Sequence, residues 1–156
     1  MIKIIITTDI NGVIVPLEEI TEDMYGNIIM IDHTLYHLLM AEEIFNCRSR
    51  VIYSDNVLVD SPSLIYSTDI DKLLRDYYRY CSDVDFMVLG GKELFEIMLE
   101  RDETYEINLK ILNKEVEGEE QLDVNAIINN AKNTKYTMDV LDDGTEVYTI
   151  EREKQE

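Results

Sequence analysis

Residues 86 to 99 read FMVLGGKELFEIML: an apolar run, a glycine pair, then apolar residues at helical spacing. Glycines at such a corner serve either of two purposes. They let a phosphate approach the backbone N–H groups that open a helix. They equally let the chain turn where no side chain fits, and at this point the residues leave both open. Upstream, PLEEITEDMYG brings together Glu18, Glu19, Glu22 and Asp23. A carboxyl group works as a general acid only within hydrogen-bond reach of the atom it protonates; otherwise such a cluster is a solvated acidic turn. His33 and His37 lie four apart, yet no H-E-x-x-H surrounds them. Cys47 and Cys81 lie far apart with no C-x-x-C spacing. Two His and two Cys so placed do not make a structural zinc site, and no metal is expected. Both Cys read as buried or free thiols in a reducing cytoplasm.

The elements that must position these groups come from a chain of 156 residues, of ordinary globular composition with 46% apolar residues. One domain over 1–156 is expected, burying about two-thirds of the surface its unfolded form exposes. Thirty-three Asp and Glu face 14 Lys and Arg, a formal net charge of -19. That field repels phosphate backbones and anionic membranes, so direct nucleic-acid and membrane binding are not expected. It suits either a merely solvated surface or a basic partner protein. The start, MIKIIITT, is too short for a signal peptide or a membrane span, which points to the cytoplasm.

Ile2 to Thr8 is β-branched nearly throughout and reads as a strand buried on both faces in a parallel sheet; Asn11-Gly12 marks a turn and Val13 to Val15 a short continuation. A loop to Gly26 precedes a strand at Asn27 to Ile31. Asp32 then caps a helix running to about Phe45. Strands follow at Val51 to Ser54 and Leu64 to Tyr66. Ser67 or Thr68 caps a helix with the stripe Ile70, Leu73, Leu74, Tyr77 and Cys81. Asp85 to Leu89 is the next strand and Lys92 to Glu100 the next helix. This alternation predicts an α/β fold with a largely parallel sheet. Thr104 to Lys114 alternates as a half-buried strand does. Lys135 to Leu141 and Glu146 to Arg152 flank Asp142-Asp143-Gly144-Thr145, a hairpin signal.

In this order the elements resemble dihydrofolate reductase over nearly the whole chain. MIKIIITTDINGVIV is similar to the family's first strand and turn, NIIMIDHTLYHLL to its second strand and helix, and VIYSDN to its third strand. FMVLGGKELFEIML resembles its strand, Gly-Gly and helix, EVEGEEQLD its linker after the long strand, and EVYTIERE its final strand. The resemblance implies a dihydrofolate-reductase-like, mostly parallel central sheet flanked by helices, with a C-terminal antiparallel hairpin. It also implies NADPH bound across the sheet, hydride transfer to a pterin, and a carboxylate assisting protonation. Under it, Thr7, Ile14, Thr34, Ser54, Gly90 and Gly91 face the cofactor. Ile5, Leu89 and Phe95 face the pterin and nicotinamide, and Arg48 matches the arginine that holds the folate carboxylate.

The chain departs from that pattern at chemically decisive places. The stretch bearing the family's catalytic acid is reduced to PLEEITEDMYG, the chain contains no Trp, and Glu19 is the nearest replacement for the acid. Where the family's Gly-Arg-x-Thr approaches cofactor phosphates, this chain reads Ile31-Asp32-His33-Thr34, replacing attraction by repulsion. Asp55 adds a further negative charge beside Ser54. The expectation is a reductase-fold protein without reductase activity or cofactor, acting on a protein partner through its acidic surface. One version is an inhibitor in the basic groove of a nucleic-acid-binding protein, as phage-encoded acidic proteins can be. The alternative is a divergent reductase of a pterin using NADPH or NADH, with Glu19 or a water as proton source. A structural subunit of a larger assembly is a third reading.

Overall fold

The computed structural model describes residues 1–17, 21–38, 49–55, 64–131 and 134–154. Its elements run β1 (Ile2–Thr8), β2 (Ile28–Asp32), α1 (His33–Leu38), β3 (Ser49–Tyr53), β4 (Leu64–Tyr66), α2 (Ile70–Tyr80), β5 (Phe86–Gly90), α3 (Lys92–Glu100), β6 (Tyr105–Ile111), α4 (Val124–Ala131), β7 (Lys135–Val140) and β8 (Glu146–Arg152). The strands form one eight-stranded sheet in the order β4-β3-β2-β5-β1-β6-β8-β7. From β4 through β6 every pairing is parallel, while β8 runs antiparallel to both β6 and β7. The expected α/β architecture with a closing antiparallel hairpin is therefore present.

Apolar residues gather in two clusters, one on each side of the sheet. Ile28 and Met30 join one and Ile29 and Ile31 the other, as the period of two requires. β2 and β5 are buried at every position. β1 is not: Ile2, Ile4 and Ile6 are fully buried, but Lys3, Ile5 and Thr7 are half-buried. That corrects the expectation of burial on both faces, and the physical reason is a cleft over Ile5 and Thr7.

In α2 the stripe Ile70, Leu74 and Tyr77 is buried, and the N-cap is Asp69 rather than Ser67 or Thr68, its carboxyl accepting Lys72 N–H at 3.1 Å. Val13 and Ile14 do not extend β1. The chain doubles back, so that Ile14 bridges Thr8 in antiparallel sense. α4 was not anticipated, because VNAIINNA carries three Asn, poor helix formers. Tertiary packing prevails: Val124 and Ala131 are buried, Ile127 and Ile128 pack on the core, and Asp123 caps Ala126 N–H at 3.0 Å. The expected continuation of α1 to Phe45 lies outside the described residues, as do Cys47, Glu19 and Arg48. Cys81 is a half-buried free thiol. No described helix is long and apolar enough to cross a membrane.

Candidate functional site

A cleft opens at the C-terminal ends of the parallel strands β1, β2 and β5, where open α/β sheets place their ligands. Its floor is Ile5 and Thr7 from β1 and Leu89 and Gly90 from β5. Gly91 and Phe95 come from the start of α3, and Asp32, Thr34 and Leu35 from the junction of β2 with α1. Ile14, Val15, Pro16 and Leu17 form one wall and Glu120 stands at the rim.

That wall is held by Asp9, whose side chain is fully buried just beyond β1. One carboxyl oxygen accepts the N–H groups of Asn11 and Val13 at 2.8 and 2.9 Å. The other accepts Val116 N–H at 3.0 Å, tying the turn to the segment after β6. The Val116 bond is the main cause holding the Asp9 carboxyl below its usual range, with the Val13 and Asn11 bonds adding to it against burial. Val15 N–H then donates to Thr7 carbonyl at 2.9 Å, and Ile14 N–H to Glu120 carbonyl at 2.8 Å.

At the opposite wall, Asp32 is 6% exposed and accepts Leu35 N–H on Oδ1 at 2.9 Å, capping α1. Its second oxygen points at the glycine corner: a Cβ on Gly91 would lie 2.7 Å from Oδ2. Gly90 has φ +142°, a backbone region that side chains rarely adopt, and a Cβ there would also press on Leu35 and Phe95 at 3.4 and 3.5 Å. The Gly90–Gly91 peptide is cis. Both purposes of a glycine pair therefore have local answers. Gly90 permits the turn, and Gly91 leaves room for the protein's own carboxyl group.

Eight of the expected site residues line this cleft: Ile5, Thr7, Ile14, Thr34, Leu89, Gly90, Gly91 and Phe95. Ser54 does not; it follows β3, half-buried, beside Asp55, which accepts the Thr68 hydroxyl at 2.8 Å. The positions of Glu19 and Arg48 lie outside the described residues. Among the described residues lining the cleft, the charged side chains are Asp32 and Glu120, both acidic. Burial first, then the Glu93 and Asp55 carboxylates, pushes the nearby Tyr53 phenol up. The cavity volume is about 30 Å³, against roughly 300 Å³ or more for a site enclosing a drug-sized ligand. His33 and His37 are exposed, and no group of three or more metal-ligating side chains occurs among the described residues.

Sequence reasoning missed Asp9 and Glu120. The signal for Asp9 was present in Asp9-Ile10-Asn11-Gly12, since Asp before Asn-Gly accepts backbone N–H groups two residues on. Glu120 had no local signal, because a long-range backbone bond brings it to the rim.

Scanned against protein-family models the sequence gives no match, and comparison with curated proteins gives none either. Among solved structures the chain is similar to Schistosoma mansoni dihydrofolate reductase, with a TM-score of 0.62 over 96% of each chain at 10% identity. At that identity the likeness establishes architecture alone: this chain has a dihydrofolate-reductase-like fold.

Proposed function

We propose that this protein is a reductase-fold binding protein without reductase activity, engaging a basic protein partner through its acidic surface. The observation that carries the first half is the Asp32 carboxyl group, buried against Gly91 at the corner where a dinucleotide would lay its phosphates. An anion brought there meets like charge at short range, in a setting where an unscreened pair costs about 4 kcal/mol at 4 Å. The cleft-lining residues described offer no compensating cation, and its volume holds little more than water. These residues do not fit a phosphorylated cofactor. The net charge of -19 supports the second half, because it speeds encounter with basic surfaces. A basic groove that otherwise binds nucleic acid is the partner surface of matching chemistry.

One observation favours a second reading. Eight residues that the family resemblance assigns to cofactor and substrate do converge on one cleft. A divergent reductase of a pterin, opening that cleft to admit NADPH or NADH, would use them.

Titration of NADPH, NADH and dihydrofolate into the full chain, read by thermal shift and by absorbance loss, separates the two. The binding reading expects no saturable shift and no turnover; saturation with turnover establishes the reductase. A basic partner captured at low salt, competed by nucleic acid and released at high salt, supports the binding reading. Salt-independent capture overturns its electrostatic basis.

A further inference from the structure

β7 closes one end of the sheet, and among the described residues nothing pairs with its outer edge. Edge strands are ordinarily blunted by shortness, unpaired charged side chains, proline or bulges; the two charges of β7, Lys135 and Asp139, are of opposite sign. β7 has six residues, no proline, and an unbroken register against β8 from Lys135↔Glu151 to Val140↔Glu146. All six residues are exposed.

One face of the strand carries Tyr136, Met138 and Val140, exposed by 40, 45 and 61%. Tyr136 and Met138 stand opposite Ile150 and Tyr148, which belong to the core. The apolar row is thus the core side of the sheet, carried one strand past the last buried one.

We propose that β7 pairs antiparallel with β7 of a second copy of this chain, about a two-fold axis at Thr137, joining two sheets into one. The charges select this register. Lys135 and Asp139 lie equally far from Thr137, so each Lys135 stands opposite Asp139 of the second copy. Tyr136 then stands opposite Met138 of the second copy, on the apolar face. Lys135 already pairs with Glu151 at 3.5 Å, and Asp139 has no ion-pair partner among the described residues. The new contact would complete a Glu151–Lys135–Asp139 row across the junction. Moving the axis to Met138 would set Lys135 against Leu141 and lose both charge pairs. A two-fold axis also rules out half-step registers, which would place side chains on opposite faces.

Each chain carries -19, so long-range repulsion opposes this contact and added salt relieves it. The sign is opposite to that for a basic partner, which salt releases, so the two readings fail separately.

The test is sedimentation equilibrium of the full chain over a concentration series at low and moderate salt. The expected result is association to twice 18.2 kDa, tightening as salt rises. Asp139→Lys sets Lys against Lys twice and should weaken association roughly tenfold or more, with circular dichroism unchanged because the position is exposed. Exchanging the charges of the whole row, Lys135→Asp with Asp139→Lys and Glu151→Lys, should restore it. A monomer at every concentration and salt overturns the proposal. So does a dimer that Asp139→Lys leaves intact, or one that the exchange of the whole charge row fails to restore.

Discussion

The carboxyl group of Asp32 occupies the space that the missing side chain of Gly91 leaves free, with Oδ2 2.7 Å from where a Cβ would stand. The same carboxyl group caps α1 through Leu35 N–H. One acidic residue therefore joins the end of β2, the start of α1 and the start of α3. Where the family resemblance leads one to expect a ligand phosphate, the protein has placed a carboxyl group of its own.

Gly91→Ala should displace Asp32 and loosen its cap, costing about 1–2 kcal/mol in urea unfolding. With Asp32→Ala in the background the same substitution should cost much less, since the three atoms nearest the position all belong to the Asp32 carboxyl group. A double-mutant cycle reads the difference; equal costs in both backgrounds would show that the two residues do not interact.

Asp32→Asn keeps a side-chain oxygen for the cap and removes the charge. The folded protein should remain, and any affinity of the cleft for phosphate or NADPH should rise roughly tenfold, measured by calorimetry. Unchanged affinity would mean that Asp32 is not what excludes anions.

Asp9 should contribute to acid unfolding. Its folded carboxyl lies below the usual 3.8 because the Val116, Val13 and Asn11 N–H groups favour the ionised form. The resulting stabilisation is present above that value and is lost as pH falls through the lower folded one. Asp9→Asn offers a single oxygen and turns an N–H donor toward one of these donors, so it should lower Tm by several degrees at neutral pH. Its melting curve should also depend less on pH below about 4 than that of the unsubstituted chain.

Tyr77 sets an alkaline limit. Burial chiefly, with the Asp85 charge adding, pushes its phenol up to about 12. Its hydroxyl donates to Val84 carbonyl at 2.6 Å and accepts the Met1 ammonium at 2.7 Å. Stability from this group is full below the unfolded value near 10 and is lost as pH rises toward 12. Tyr77→Phe should cost about 1–2 kcal/mol at neutral pH and remove a late-ionising phenol from the ultraviolet titration. An unchanged titration would place that phenol elsewhere.

The fold was legible because its signals are local and repeated. Alternation in Tyr105–Ile111, the stripe of α2 and the turn at Asp142 to Thr145 each reflect a period or a turn chemistry that neighbouring residues carry by themselves. Strand and helix boundaries moved by a residue or two, as at β2, where Asp32 both ends the strand and caps the helix. α4 was illegible because Asn is a weak helix former and only packing against the core decides the segment.

For the site, the sequence by itself determined that acidic residues stand where the resemblance leads one to expect basic ones, and that glycines fill the corner. The residue types and their order suffice for that. What only the tertiary structure decided is where the acids point. Asp32 turns inward onto Gly91, while Asp55 turns to Thr68 at the surface. Asp9 is buried because a segment more than 100 residues away brings Val116 N–H to it. Burial and hydrogen bonding depend on partners distant in the chain, and no local pattern encodes them.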